Sequence, residues 1–145
     1  MKDTDPAVAE LHGTVLYIED NEVNFAVVEA GLAGLPGVRL MHAASGLEGV
    51  RMVRSESPDF VLLDMNLGDM SGLEVVRRIS ELIASRRLRV TILTGDGLSM
   101  DIIKAMSLGA YEYWVKPVDP LVLEAGVRRA LTGMRADPAH TLRPR

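Results

Sequence analysis

The feature that most constrains this chain is an alternation of two kinds of segment. Short aliphatic or β-branched runs occur at Thr14–Ile18, Val38–Met41, Phe60–Asp64, Val90–Thr94 and Tyr113–Val115. Between and after them lie stretches with helical periodicity, over about Glu22–Ala33, Leu47–Glu56, Gly72–Ser85, Met100–Leu108 and Pro120–Leu131. In the third of these, Leu73, Val76, Ile79 and Ile83 recur at three or four residues, with Arg77, Arg78 and Glu81 between them. Gly34–Gly37 closes the first helix, Ser45 caps the second, and Asp119-Pro120 opens the last as N-cap and N1. Continuous apolar strands imply a sheet covered on both faces, hence a parallel one. The pattern predicts an α/β fold, a doubly wound five-stranded parallel sheet. Such folds bind ligands at the carboxyl ends of the strands, near the switch in strand order.

The rest of the chain leaves room for little else. Its 145 residues suit one domain. The expected division is a leader at 1–13, the domain at 14–132, and a flexible polar tail at 133–145. Aromatics are 4%, so aliphatic side chains must fill the core. A net charge of −4 argues against nucleic acid as a bulk electrostatic partner. With no Cys, thiolate chemistry and Cys-bound zinc are excluded. Neither a secretory signal nor an apolar run long enough to span a membrane is present, which makes the cytoplasm the default location. His12, His42 and His140 show no metal-ligand spacing.

What the strands end on is informative. The first is followed by Glu19-Asp20, the third ends in Asp64, the fourth in Thr94, and the fifth leads to Lys116-Pro117. One topology brings three carboxylates, a hydroxyl and an ammonium to one end of the sheet. Two carboxylates ~5 Å apart at an effective dielectric of ~20 repel by roughly 3 kcal/mol. Protonation relieves that, and so does a cation. A few hard oxygen donors suit Mg²⁺, which keeps waters and also coordinates phosphate.

This constellation resembles the receiver domain of two-component response regulators. "VLYIEDNEVN" is similar to the family's first strand and acidic pair, and "DFVLLDMNLGDMSGLEVVRRI" to its phosphoacceptor strand and loop. "TILTGDG" matches the fourth strand with its switch hydroxyl, and "GAYEYWVKPVD" the fifth with Lys-Pro. The resemblance runs from about Thr14 to Leu131 and implies a flavodoxin-like (βα)5 fold of strand order 2-1-3-4-5. It implies Asp64 as phosphoacceptor, with Mg²⁺ held by Asp20, Asp64, the Asn66 carbonyl, and Glu19 directly or through water. Thr94 and Lys116 would meet the phosphoryl oxygens, and Thr94 and Tyr113 would form the switch. By the same resemblance, Asn66 and Asp96 would occupy positions at which the family tunes phosphate lifetime. Lys116-Pro117 is commonly cis in the family.

The implied partners are a sensor histidine kinase or phosphotransfer protein and a downstream protein target. The implied output or homodimer face is the fourth helix, fifth strand and fifth helix, with no direct contact to nucleic acid or membrane. A stand-alone receiver is the leading expectation. The alternatives are a relay intermediate, a fragment of a hybrid kinase and a scaffold that never takes phosphate. A haloacid-dehalogenase-type phosphatase is a further alternative, although Asn66 stands where that class needs a second Asp. The expected role is not that of an enzyme, beyond uptake and loss of phosphate on its own Asp. Gly68 departs from the family's usual Pro and predicts a looser loop. Trp114 is expected to be packing.

Overall fold

Each helix begins on a short polar side chain that accepts a backbone N–H the helix leaves unpaired. Asn21 accepts from Asn24 N, Ser45 from Glu48 N, Ser71 from Glu74 N, Ser99 from Ile102 N and Asp119 from Leu121 N. Such a cap contributes about 1 kcal/mol. In the computed structural model, which describes residues 11–142, these caps punctuate a regular alternation. The strands are β1 (Gly13–Ile18), β2 (Val38–Ala43), β3 (Phe60–Asp64), β4 (Arg89–Thr94) and β5 (Glu112–Val115). The helices are α1 (Glu22–Gly31), α2 (Gly46–Glu56), α3 (Gly72–Arg86), α4 (Met100–Ser107) and α5 (Pro120–Leu131). Boundaries differ from the sequence reading by at most two residues, at strand and helix ends alike.

The strands form one parallel sheet in the order β2-β1-β3-β4-β5. All five residues of β3 are buried, as a central strand covered on both faces requires. Alternation along the strands feeds two cores. Leu16, Ile18, Val61, Leu63 and Ile92 pack with Val50, Val76, Ile79 and Ile102 from α2, α3 and α4. Val15, Tyr17, Phe60, Leu62 and Leu93 pack on the other face with Val28, Leu123 and Val127 from α1 and α5. Trp114 is buried in this second core, as expected. Gly126 permits it, because a Cβ there would collide with the indole ring.

The chain runs outward from β1 to β2 and then returns to β3, so the order reverses between β1 and β3. The crevice at their carboxyl ends is where a ligand site belongs.

The described part of the tail lies against the domain. After α5 it folds back beside β5 and makes one 3₁₀ turn at Pro138–His140. The Tyr111 hydroxyl donates to the Met134 carbonyl (2.8 Å), and Asp137 N donates to Glu112 Oε2 (2.9 Å). The reason is Glu112, a fully buried carboxylate that must be saturated. Arg129 donates to both its oxygens at 2.9 and 3.0 Å, Trp114 Nε1 donates at 2.9 Å, and the tail backbone supplies the remaining donor. Residues 143–145 and the first ten residues of the expected leader lie outside the described residues. Leu11, at the leader's end, already belongs to the core.

Candidate acidic site

Parallel strands place all their carboxyl ends on one edge, and the predicted side chains collect there. Glu19 and Asp20 follow β1 directly. Glu19 is fully buried and Asp20 is exposed. Asp64, the last residue of β3, is buried, as is Thr94 at the end of β4. Lys116 follows β5 and is joined to Pro117 by a cis peptide bond.

Glu19, Asp20 and Asp64 each present an oxygen within 4.8 Å of the others. Lys116 Nζ lies 3.0 Å from Asp64 Oδ2 and 3.9 Å from Glu19 Oε1. Asn66 N donates to Asp64 Oδ1 at 3.2 Å. The Thr94 hydroxyl accepts from Asp96 N at 3.2 Å, while the Asp96 side chain is exposed on the loop beyond. Tyr113 is half-buried on β5 and packs against the α2–α3–α4 core.

One ammonium does not balance three carboxylates. Burial pushes the Glu19 carboxyl up to about 7, reinforced by the neighbouring Asp64 carboxylate and partly offset by Asn24 and Lys116. Glu19 Oε2 is buried with no hydrogen-bond partner. An unsatisfied buried acceptor costs about 1–3 kcal/mol. The donor set and the orphaned oxygen suit a hard divalent cation with few protein ligands, which is the habit of Mg²⁺.

Four contributors escape a linear reading. The His42 ring donates through Nε2 to the Glu19 carbonyl at 2.7 Å, although the spacing of histidines marks it as ordinary. Only the β1–β2 register, in which Tyr17 faces His42, brings it there. Tyr17 is buried and its hydroxyl donates to Glu19 Oε1 at 3.2 Å. That contact is legible in principle, because residues i and i+2 of a strand share a face. Glu112 secures the tail, as described above.

Asp69 is the fourth. Its two oxygens accept from Gly46 N (2.8 Å) and Leu47 N (2.9 Å), tying the loop after β3 to the first turn of α2. These backbone donors hold the Asp69 carboxyl below the usual range. Gly46 allows the approach, since a Cβ there would stand 2.5 Å from Met70 Cγ and 3.2 Å from Asp69 Oδ1. Gly68 has a local role too: a Cβ at 68 would come within 3.3 Å of Asp20 Oδ2.

With this geometry in place, comparison with known proteins is specific. A family model described as "Response regulator receiver domain" matches residues 15–128. The transcriptional regulatory protein AfsQ1 of Streptomyces coelicolor is 35% identical over 118 residues, which are 81% of this chain and 51% of that protein. The chain thus spans about half the length of that relative. Sporulation initiation phosphotransferase F of Bacillus subtilis is 29% identical over 80% of this chain and 92% of its own length. Among solved structures, a LuxR-family two-component response regulator from Aurantimonas superimposes with a TM-score of 0.77 at 27% identity, covering 88% of this chain and 91% of that one. No helix among the described residues is long and apolar enough to cross a membrane. The fold, the strand order and the family model agree: this chain belongs to the response regulator receiver domains of two-component signalling.

Proposed function

We propose that the chain takes a phosphoryl group on Asp64 and converts it into a change of protein-binding surface. The observation that carries this reading is the pairing of Lys116 with Asp64 at 3.0 Å beside two further carboxylates and an orphaned Glu19 oxygen. An Asp64 oxygen forms a bond to phosphorus as the donor's P–N bond (a phosphohistidine) or P–O bond (acetyl phosphate) breaks. The bond's electron pair leaves with the imidazole or acetate. Positioning and charge neutralisation supply the catalysis.

Mg²⁺ would be held by Asp20, Asp64 and the Asn66 carbonyl, with Glu19 directly or through water. When bound, it offsets the carboxylate repulsion and the charge on the phosphoryl oxygens. Lys116 pairs with one of those oxygens, and the Thr94 hydroxyl turns toward another, trading its bond from Asp96 N. The space Thr94 vacates lets Tyr113 move inward. A few charge-assisted hydrogen bonds at ~1.5–3 kcal/mol each supply the ~5.5 kcal/mol that inverts a 1:99 population.

The output is assigned to the α4–β5–α5 face, where Met100 (65%), Val115 (49%) and Leu121 (78%) are exposed. A downstream protein or a second copy would dock there. The donor is a sensor histidine kinase or phosphotransfer protein, and the compartment is the cytoplasm. A relay intermediate is the second reading. It is favoured by the near full-length match to a protein whose name is phosphotransferase.

The test is mass spectrometry of the chain with Mg²⁺ and acetyl phosphate, with Trp114 fluorescence on adding beryllofluoride. Wild type gains one phosphoryl group and Asp64→Asn gains none. Absence of Mg²⁺-dependent modification would leave a scaffold, and steady hydrolysis of unrelated phosphomonoesters would leave a phosphatase. Asp96→Ala changes the phosphoryl half-life several-fold through the water it positions; equal half-lives remove Asp96 from the account.

A further inference from the structure

Tyr17 carries a hydroxyl that nothing in phosphoryl chemistry uses. The side chain is fully buried, deep on β1, within the core against α1 and α5. A phenylalanine would fill the same space. A buried phenol must find a partner, and this one donates to Glu19 Oε1 at 3.2 Å.

The contact belongs to a closed ring around Glu19. The Tyr17 ring stacks on Phe25 (centroids 6.0 Å, 25° between planes), and Phe25 stacks on His42 (4.1 Å, 18°). His42 Nε2 then donates to the Glu19 carbonyl at 2.7 Å. Tyr17 thus restrains the side chain of Glu19 and His42 its main chain, and Phe25 stacks on both rings. The restrained carboxylate has one engaged oxygen and one that is buried and unpartnered.

Resting on the Mg²⁺ reading above, we propose that Tyr17 is a positioning residue, whose hydroxyl engages Glu19 Oε1 and leaves Oε2 committed to the divalent cation or its water. Outer groups that orient metal ligands commonly contribute 10- to 100-fold in affinity.

The experiment is calorimetric titration of the full chain with Mg²⁺, without phosphodonor, as a double-mutant cycle. Tyr17→Phe weakens Mg²⁺ binding about 10-fold or more. In a Glu19→Ala background the same substitution changes it less than two-fold, because the carboxylate through which Tyr17 acts is gone. An equal loss in both backgrounds, or binding within two-fold of wild type in Tyr17→Phe alone, overturns the inference. A second measurement needs no substitution at 17. In the chain labelled with carbon-13 at the tyrosine ring, the Tyr17 resonance moves on Mg²⁺ saturation, and a stationary resonance overturns the proposal. Failure of wild type to bind Mg²⁺ at all, with Asp20→Asn indistinguishable from it, overturns the metal reading and this inference together.

Discussion

The loop from Asn66 to Ser71 and the loop from Gly95 to Ser99 both leave a strand at the acidic end of the sheet, and both contain glycine. The first is fastened along its length. Asn66 pairs with Ser71 in an isolated bridge, Gly72 N donates to the Met65 carbonyl at 2.7 Å, and Asp69 clamps the first turn of α2. The second has little to hold it. Asp96 N donates to the Thr94 hydroxyl, and a Cβ at Gly95 or Gly97 would meet nothing within 4 Å. Leu98 stands 57% exposed at its crest. A glycine therefore does not by itself make a loop loose. What matters is whether neighbouring groups engage the segment. The absence of Pro at 68 predicts slackness, yet Asp69 ties the loop to the first turn of α2. The segment beside Thr94, which the proposed switch would move, has fewer such restraints.

The largest test concerns the bed beneath both loops and must be known before their smaller effects are compared. Without metal, folded Glu19 keeps a proton up to about pH 7 that the unfolded chain releases near 4.5. The folded state then binds more protons, so stability falls as pH rises through that window. Glu19→Gln removes this slope and stabilises the metal-free protein by roughly 2–3 kcal/mol at pH 8. Urea melts in EDTA at pH 5 and pH 8 measure it, and parallel slopes for the two proteins would refute it.

Next comes the clamp. Asp69→Ala leaves two backbone donors of α2 without their carboxylate and costs about 1–2 kcal/mol. Amide hydrogen exchange should speed up at Gly46 and Leu47 and leave residues 95–99 unchanged. Uniform acceleration would mean that the two loops are not held independently.

In the slack loop the two glycines should behave oppositely. Gly97 has φ +71°, so Gly97→Ala costs about 1 kcal/mol from left-handed strain alone. Gly95 needs no such conformation and has open space around it. Gly95→Ala therefore stabilises by roughly 0.4 kcal/mol or more, by restricting the unfolded chain. Thermal melts of both variants check the signs, and matching signs would erase the distinction between the glycines.

Much of the site was legible because its residues sit at strand ends. Once five apolar runs are taken as parallel strands, Glu19, Asp20, Asp64, Thr94 and Lys116 must share an edge. His42 and Asp69 were not legible. Each acts on a segment more than twenty residues away, through a hydrogen bond whose existence depends on strand register or loop path. Glu112 was hidden for a similar reason. A carboxylate at the start of a strand reads as solvent-facing until Arg129 and the returning tail surround it.

The sequence by itself determined the alternation, the parallel sheet and the edge on which the acidic groups gather, because side-chain periodicity and strand direction are local properties. Only the tertiary structure decided how those groups differ: Glu19 sealed from water while Asp20 faces it, Asp64 against Lys116, one loop clamped and the other open. Those distinctions arise from desolvation and from hydrogen bonds between distant segments, and neither exists until the chain has folded.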